Sequence, residues 1–169
     1  VSTGRLVNQK GYDRLLPIIK RLKDDGLNVS LTILGEGSDR KILEEYIKLN
    51  NLSDSVSLPG FVDNPYSTMA QHDIFVCSSR AEGYSTAVTE ALILGMPVVT
   101  TDCSGMKELL GENNEYGIVT QNNDESLYQG IKELLENDKL IEHYREKALL
   151  RSRDFSLHSL MNSIEEILE

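Results

Sequence analysis

Between Arg80 and Val99 the sequence reads RAEGYSTAVTEALILGMPVV, with Glu82 and Glu90 eight positions apart around a Gly-Tyr-Ser-Thr turn. A solvated surface acid is the commoner fate of a glutamate, so the setting has to supply any further meaning. A helix that begins near Ser85 or Thr86 presents free N–H groups at its start, and Gly83 lets the chain turn tightly just before it. The amides of Tyr84, Ser85 and Thr86 then suit phosphate oxygens. Glu90 falls one turn past Thr86 on the same helical face, where a carboxylate suits the paired hydroxyls of a ribose. Glu82, in the preceding loop, suits a second sugar hydroxyl. Two acids with two separate hydroxyl partners, and a helix end between them, form a coherent division of labour.

A second candidate is GRLVNQKG, residues 4–11. Gly4 permits close backbone approach, Arg5 and Lys10 flank a short loop, and Lys10-Gly11 lies at the mouth of the next helix. Two cations beside a helix N-terminus favour a phosphate or diphosphate. A surface loop with ordinary basic residues fits the same letters equally well. Other patterns are weaker. GEGSDR (35–40) lacks the third glycine of a dinucleotide fingerprint, and neither a P-loop nor a G-x-S-x-G nucleophile elbow occurs. Cys77 and Cys103 lie at or near the ends of apolar runs without metal-ligand spacing, as buried thiols of a reducing cytoplasm do. His72, His143 and His158 have no partner at ligand spacing, so no zinc site is expected; His72 reads as structural or exposed. Tyr12, Tyr46, Tyr66 and Tyr128 sit at helical positions and read as packing residues.

Strands are expected over VSTGRL, NVSLTIL (28–34), SVSLPG (55–60), DIFVCSS (73–79), MPVVTT (96–101) and YGIVT (116–120). Between them lie helical stripes. The first covers Tyr12 to Asp25, with Pro17 in its first turns and Gly26 as its stop. The next runs to about Leu49 behind a Ser38 or Asp39 cap. A short helix covers PYSTMAQH, one ends at Gly95, and another short one covers SGMKELL. Asp124 is expected to cap a helix reaching Glu136, with two more near 138–151 and 156–168. Six strand–helix alternations, with strands apolar at nearly every position, imply a Rossmann-like, doubly wound parallel α/β sheet of about six strands with helices on both faces. Ligands of such sheets bind at the carboxyl ends of the strands, where strand order reverses. The loops after the strands should therefore carry function.

The 169 residues suit one domain, with 40% hydrophobic and 26% charged residues. The formal net charge of −10 argues against general nucleic-acid binding. Residues 1–50 carry 9 Lys and Arg against 7 Asp and Glu, a net of +2, whereas residues 51–169 carry 8 against 20, a net of −12. An anionic ligand should find its cations in the N-terminal part. No apolar run spans a bilayer and no signal peptide is visible. The start VSTGRLV, without Met and already strand-like, suggests a piece of a longer protein.

Taken together, GRLVNQKG, ILGEGSDR, LPGFV, DIFVCSSRAEGYSTAVTEALILGMPVVTTDCSG and GIVT fall in the order of a known family. The chain resembles, over nearly its whole length, the C-terminal domain of a family 4 glycosyltransferase of the two-Rossmann-domain (GT-B) type, with Glu82 and Glu90 as its E-x7-E signature. The resemblance implies that residues 1–169 are the domain binding a nucleotide sugar, UDP first among the nucleotides. An N-terminal acceptor domain of the same protein would complete a retaining hexosyltransferase. That enzyme would need no metal and would act on a glycan, lipid-linked or protein-linked acceptor, at the membrane periphery of the cytoplasm. Arg5 and Lys10 resemble the diphosphate-binding pair, and Glu90 the ribose acid. Glu82 resembles the acid on the transferred sugar. Gly83, Tyr84, Ser85 and Thr86 resemble the segment whose amides touch sugar and phosphate, and Gly60, Phe61 and Val62 the loop beside the nucleobase. Tyr84-Ser85-Thr86 departs from the family habit of Phe, then Gly or Pro, then a small or apolar residue. A UDP-sugar epimerase half and a non-catalytic sugar-nucleotide module are the alternatives on the same architecture. The domain alone is expected to transfer no sugar.

Overall fold

The structure, a computed structural model, describes residues 1–155. Six short strands alternate with helices: β1 (Ser2–Thr3), α1 (Tyr12–Asp24), β2 (Leu31–Leu34), α2 (Arg40–Leu49), β3 (Val56–Gly60), α3 (Tyr66–Met69), β4 (Phe75–Cys77), α4 (Thr86–Ile93), β5 (Val98–Thr101), α5 (Met106–Leu110), β6 (Ile118–Thr120), α6 (Asp124–Leu135) and α7 (Asp138–Ser152). All strand pairs are parallel and form two ladders, β1-β2-β3 and β4-β5-β6. The ladders meet edge to edge at Val1, whose nitrogen donates to the Ile74 carbonyl at 2.8 Å and whose carbonyl accepts from Val76 N–H at 2.9 Å. Across that join the strand order is 3-2-1-4-5-6, the doubly wound arrangement expected from the alternation of elements.

Both faces of the sheet are covered, and the strands show it residue by residue. Along β4, Phe75 and Cys77 enter one core cluster and Val76 the other; along β5, Val98 and Val99 divide in the same way. One layer gathers α1, α2 and α6 through Leu15, Leu22, Leu43, Leu127 and Ile131; the other gathers α4 and α5 through Val88, Leu92, Met106 and Leu109. Each fully buried leucine of this kind stabilises by about 1.5–3 kcal/mol. Helix α7 touches both layers, with Tyr144 in the first and Ala148 in the second.

The elements are where the sequence implies, but shorter. β1 stops at Thr3 because Gly4 takes a φ of 151° and leads the chain into the polar loop. Gly26, at φ 90°, ends α1 as expected, and Leu27 N–H reaches back to the Leu22 carbonyl at 3.0 Å. Pro17 lies on the exposed side of α1, one turn deeper than a first-turn proline. Two expected caps are corrected. Asp39 precedes α2 without a capping side-chain bond, because its carboxylate accepts from the Ser38 hydroxyl instead. Asn123, and not Asp124, caps α6: its Oδ1 accepts from Ser126 N–H at 2.8 Å, and Asp124 becomes the first helical residue. The helix expected near 156–168 lies outside the described residues. Among them, no helix is long and apolar enough to cross a membrane.

Candidate functional site

The chain leaves β1 into α1 on one face of the sheet and leaves β4 into α4 on the other. Adjacent loops that depart to opposite faces open a crevice at the carboxyl ends of their strands. Residues 4–11 and 78–85 line that crevice.

These two loops are fastened together. The guanidinium of Arg14, only 7% exposed on the core side of α1, donates to the Ser78 and Ser79 carbonyls at 2.8 and 2.7 Å and to Asn122 Oδ1 at 2.8 Å. Burial and the neighbouring Arg80 lower its pKa from the usual arginine value. Arg80 forks onto Asp13 at 2.7 and 2.8 Å and donates to the Asn8 carbonyl at 2.7 Å. Its guanidinium holds the Asp13 carboxyl below the usual carboxylate range. Gln9 donates to the Ala81 carbonyl and the Ser78 hydroxyl to the Lys10 carbonyl, both at 2.9 Å. Gly11 makes this approach possible. At φ 69°, a Cβ there would lie 2.1 Å from the Ser78 carbonyl oxygen. The glycines of GEGSDR serve a similar end, since a Cβ on Gly35 would lie 2.0 Å from the Gly4 carbonyl.

Lys10 and Glu82 meet across the fastened loops. Lys10 Nζ lies 2.5 Å from Glu82 Oε1, which also accepts from the Ser79 hydroxyl at 2.5 Å. The Glu82 side chain is 9% exposed and that of Lys10 21%, so the pair is partly shielded from solvent. Next along the chain, Ser85 caps α4 by accepting from Val88 N–H at 3.4 Å, as the expected helix start requires. Its hydroxyl is thereby committed to the helix. Among the described residues the N–H groups of Gly83, Tyr84, Ser85 and Thr86 have no acceptor, which leaves them available to an anion.

Arg5 sits apart from this pair. It is exposed, and among the described residues it makes no ion pair; Glu36, which lines the same cleft, is held by Arg40 instead. It borders a cleft of about 400 Å³ shared with Gly4, Phe61 and Val62. Phe61 is 74% exposed there. Gly60 ends β3 at φ 95°, beside a Glu36 carboxylate that Arg40 holds through two bonds of 2.8 and 2.7 Å. Glu90, half-buried on α4, accepts from the Tyr66 hydroxyl at 3.2 Å. The charge of Glu90 and this bond raise the Tyr66 pKa, so the phenol stays a donor. Tyr66 corrects the expectation that it packs in the interior: it is 44% exposed, whereas Tyr12 and Tyr128 are buried as expected. His72 is structural, with its ring nitrogens at the Thr68 carbonyl (2.8 Å) and the Thr32 hydroxyl (3.0 Å). Among the described residues no group of three or more His, Cys, Asp or Glu is placed to hold a metal ion.

Residues 1–151 match the family described as glycosyl transferases group 1. The chain belongs to that family. It is 40% identical over 157 residues to N-acetylgalactosamine-N,N'-diacetylbacillosaminyl-diphospho-undecaprenol 4-alpha-N-acetylgalactosaminyltransferase of Campylobacter jejuni, covering 92% of this chain and 42% of that protein. Among solved structures it superposes with a TM-score of 0.84 on a TarM variant of S. aureus in complex with fondaparinux, alpha-GlcNAc-glycerol and UDP, at 28% identity, over 99% of this chain and 34% of that one. It also superposes, with a TM-score of 0.80 at 20% identity, on the C-terminal domain of the group 1 glycosyl transferase LpcC of Francisella tularensis, over 92% of this chain and 85% of that one. The fold is thus that of a GT-B C-terminal domain. The chain spans 42% to 49% of the length of the first curated relatives it matches.

Within this group 1 glycosyl transferase domain, the residues singled out from sequence fall into three places. Lys10 and Glu82 pair in the crevice; Arg5, Phe61 and Val62 line the cleft; Glu90 stands on α4 beside Tyr66. The sequence does not single out Arg14, Ser79 or Tyr66 as site residues. Arg14 carries a signal all the same: a charge at a position that the α1 stripe assigns to the core. Ser79 and Tyr66 carry none, because their partners are 3 and 24 residues away in loops or on another element.

Proposed function

We propose that this chain is the donor-binding domain of a retaining, family 4 hexosyltransferase that uses a nucleotide sugar, UDP-linked in the first instance. Arg5 and Lys10 take the diphosphate, assisted by the amides of Gly83, Tyr84, Ser85 and Thr86 at the helix end that the Ser85 hydroxyl caps. Glu90 takes the ribose hydroxyls and Glu82 a hydroxyl of the transferred sugar. Gly60, Phe61 and Val62 flank the nucleobase. As the glycosidic bond breaks, negative charge grows on the departing diphosphate; cations and amides already in position stabilise it without reorganising. No metal is needed in this scheme. An N-terminal domain outside this chain supplies the acceptor site for a glycan, lipid-linked or protein-linked acceptor, so this domain alone transfers no sugar. The working place is the cytoplasm, at the membrane periphery when the acceptor is lipid-linked.

The observation that carries this reading is the Lys10–Glu82 pair, set where the β1 and β4 loops diverge, with Arg5 on the neighbouring cleft and in no ion pair among the described residues. The UDP in the TarM complex supports the choice of nucleotide. Calorimetric titration of the full-length protein with UDP, GDP and ADP tests it. UDP should bind most tightly, and Arg5→Ala and Lys10→Ala should each weaken it roughly ten- to a hundredfold. Unchanged UDP affinity in both variants would show the diphosphate assignment to be wrong.

A further inference from the structure

Glu90 has one partner among the described residues, the hydroxyl of Tyr66. That partner comes from a different part of the chain and is held in place. Tyr66 opens α3, its N–H is received by Asn64 Oδ1 at 3.2 Å, and the preceding Pro65 borders the same cleft as Arg5 and Phe61. At the other end of this four-residue helix, Met69 is fully buried and His72 ties the following turn to Thr32 of β2. The phenol is therefore mounted on a short, anchored element, yet the residue remains 44% exposed.

A carboxylate has about four acceptor positions on its two oxygens. Tyr66 uses one, on Oε1, and leaves Oε2 and the rest of Oε1 for a ligand. A vicinal diol binds a carboxylate best when both oxygens face it at once, which fixes the rotation of the carboxylate plane. A free glutamate side chain loses rotamer entropy to reach that orientation; one already held by a phenol loses less. We propose that Tyr66 is a positioning residue for the ribose site: its hydroxyl fixes the Glu90 carboxylate so that both oxygens meet the 2′ and 3′ hydroxyls of the donor nucleotide. The inference rests on the assignment of Glu90 to the ribose and adds the residue that sets its geometry.

The test measures binding of UDP and 2′,3′-dideoxy-UDP to the full-length protein as wild type, Tyr66→Phe and Glu90→Ala. Tyr66→Phe removes one oxygen from an exposed side chain, so a melting curve should be unchanged. Wild type should prefer UDP. Tyr66→Phe should weaken UDP about three- to tenfold, the worth of one hydrogen bond to a charged acceptor, while leaving dideoxy-UDP as it was, so that the preference shrinks. A purely structural role would weaken both ligands alike. If wild type prefers UDP, Glu90→Ala abolishes the preference and Tyr66→Phe keeps or increases it, the positioning role is wrong and the ribose assignment stands. If wild type and Glu90→Ala both bind the two ligands equally, the ribose assignment fails and this inference falls with it.

Discussion

The loop from Gly4 to Gly11 has two flanks, and the chain treats them differently. Toward β4, Gln9, Lys10, Arg14 and Arg80 all cross to or from residues 78–82, and buried carbonyls there have donors. Toward β3, Arg5 is unpaired among the described residues, Phe61 stands 74% exposed, and the space between is an open cleft. The difference follows what each flank is proposed to handle. Lys10 and Glu82 are held in place, as groups that stabilise charge at a breaking bond need to be, whereas Arg5, the second proposed diphosphate cation, stands on the open flank without such a fixture among the described residues. A planar base needs a surface to lie on and room to enter.

This contrast can be broken or sharpened by experiment. The largest effect is expected at the fixed flank. Glu82→Ala and Lys10→Ala in the full-length enzyme should each lower kcat/KM for sugar transfer by about 10²–10³-fold; a drop of less than about tenfold in steady-state assays would mean that the chemistry lies elsewhere. Arg14→Leu comes next. It strands the Ser78 carbonyl, while the Ser79 carbonyl keeps the Thr101 hydroxyl as a donor, and should cost about 2 kcal/mol of unfolding free energy in denaturant titrations. A loss below about 1 kcal/mol would erase the claim that this flank is rigidly built.

Phe61→Ala addresses the open flank. Stability should stay within about 0.5 kcal/mol, as for an exposed side chain, while UDP affinity falls about tenfold if the ring receives the base. Loss of stability without loss of affinity would make Phe61 an ordinary structural residue. The smallest effect concerns the tie that holds α3. Burial lowers the His72 pKa below its ordinary 6.5, so the unfolded chain binds that proton more readily than the folded one. The contribution of His72 is intact above pH 6.5 and is lost as pH falls through the folded pKa. Denaturation midpoints between about pH 7.5 and 5.5 should fall less steeply for His72→Gln than for wild type; equal slopes would remove His72 from the account.

How much of this is legible in the sequence follows from where the information resides. Strand and helix existence is readable because VSLTIL, DIFVC and PVV are apolar at consecutive positions and the helices carry stripes, patterns that only two-sided burial explains. Strand lengths are not, since a parallel ladder of hydrogen bonds ends where the neighbouring strand ends, and β1 pairs over only two residues. Capping is half legible. Ser85-Thr86 and Asn123-Asp124 each offer two capping residues in a row, and only the backbone turn decides which is outside the helix. At the site, Arg5, Lys10, Glu82 and Glu90 stand out by motif. The Tyr66–Glu90 bond does not, because α3 is a four-residue element whose direction is set by the packing of Met69 and by His72 rather than by any periodicity.

The join at Val1 carries one more consequence. The β1-β2-β3 and β4-β5-β6 ladders share both core clusters, and at the crevice their loops are tied further by bonds such as Arg14 to the Ser78 carbonyl and Lys10 to Glu82. The two ladders with their helices are half-domains of one continuous core, and a nucleotide lying across the crevice would add a brace between them. A full-length protein nicked at the exposed Asp63–Asn64 turn should therefore hold its pieces together more tightly with UDP than without. Equal dissociation of the pieces in both conditions, followed by size-exclusion chromatography, would mean that the half-domains need no brace.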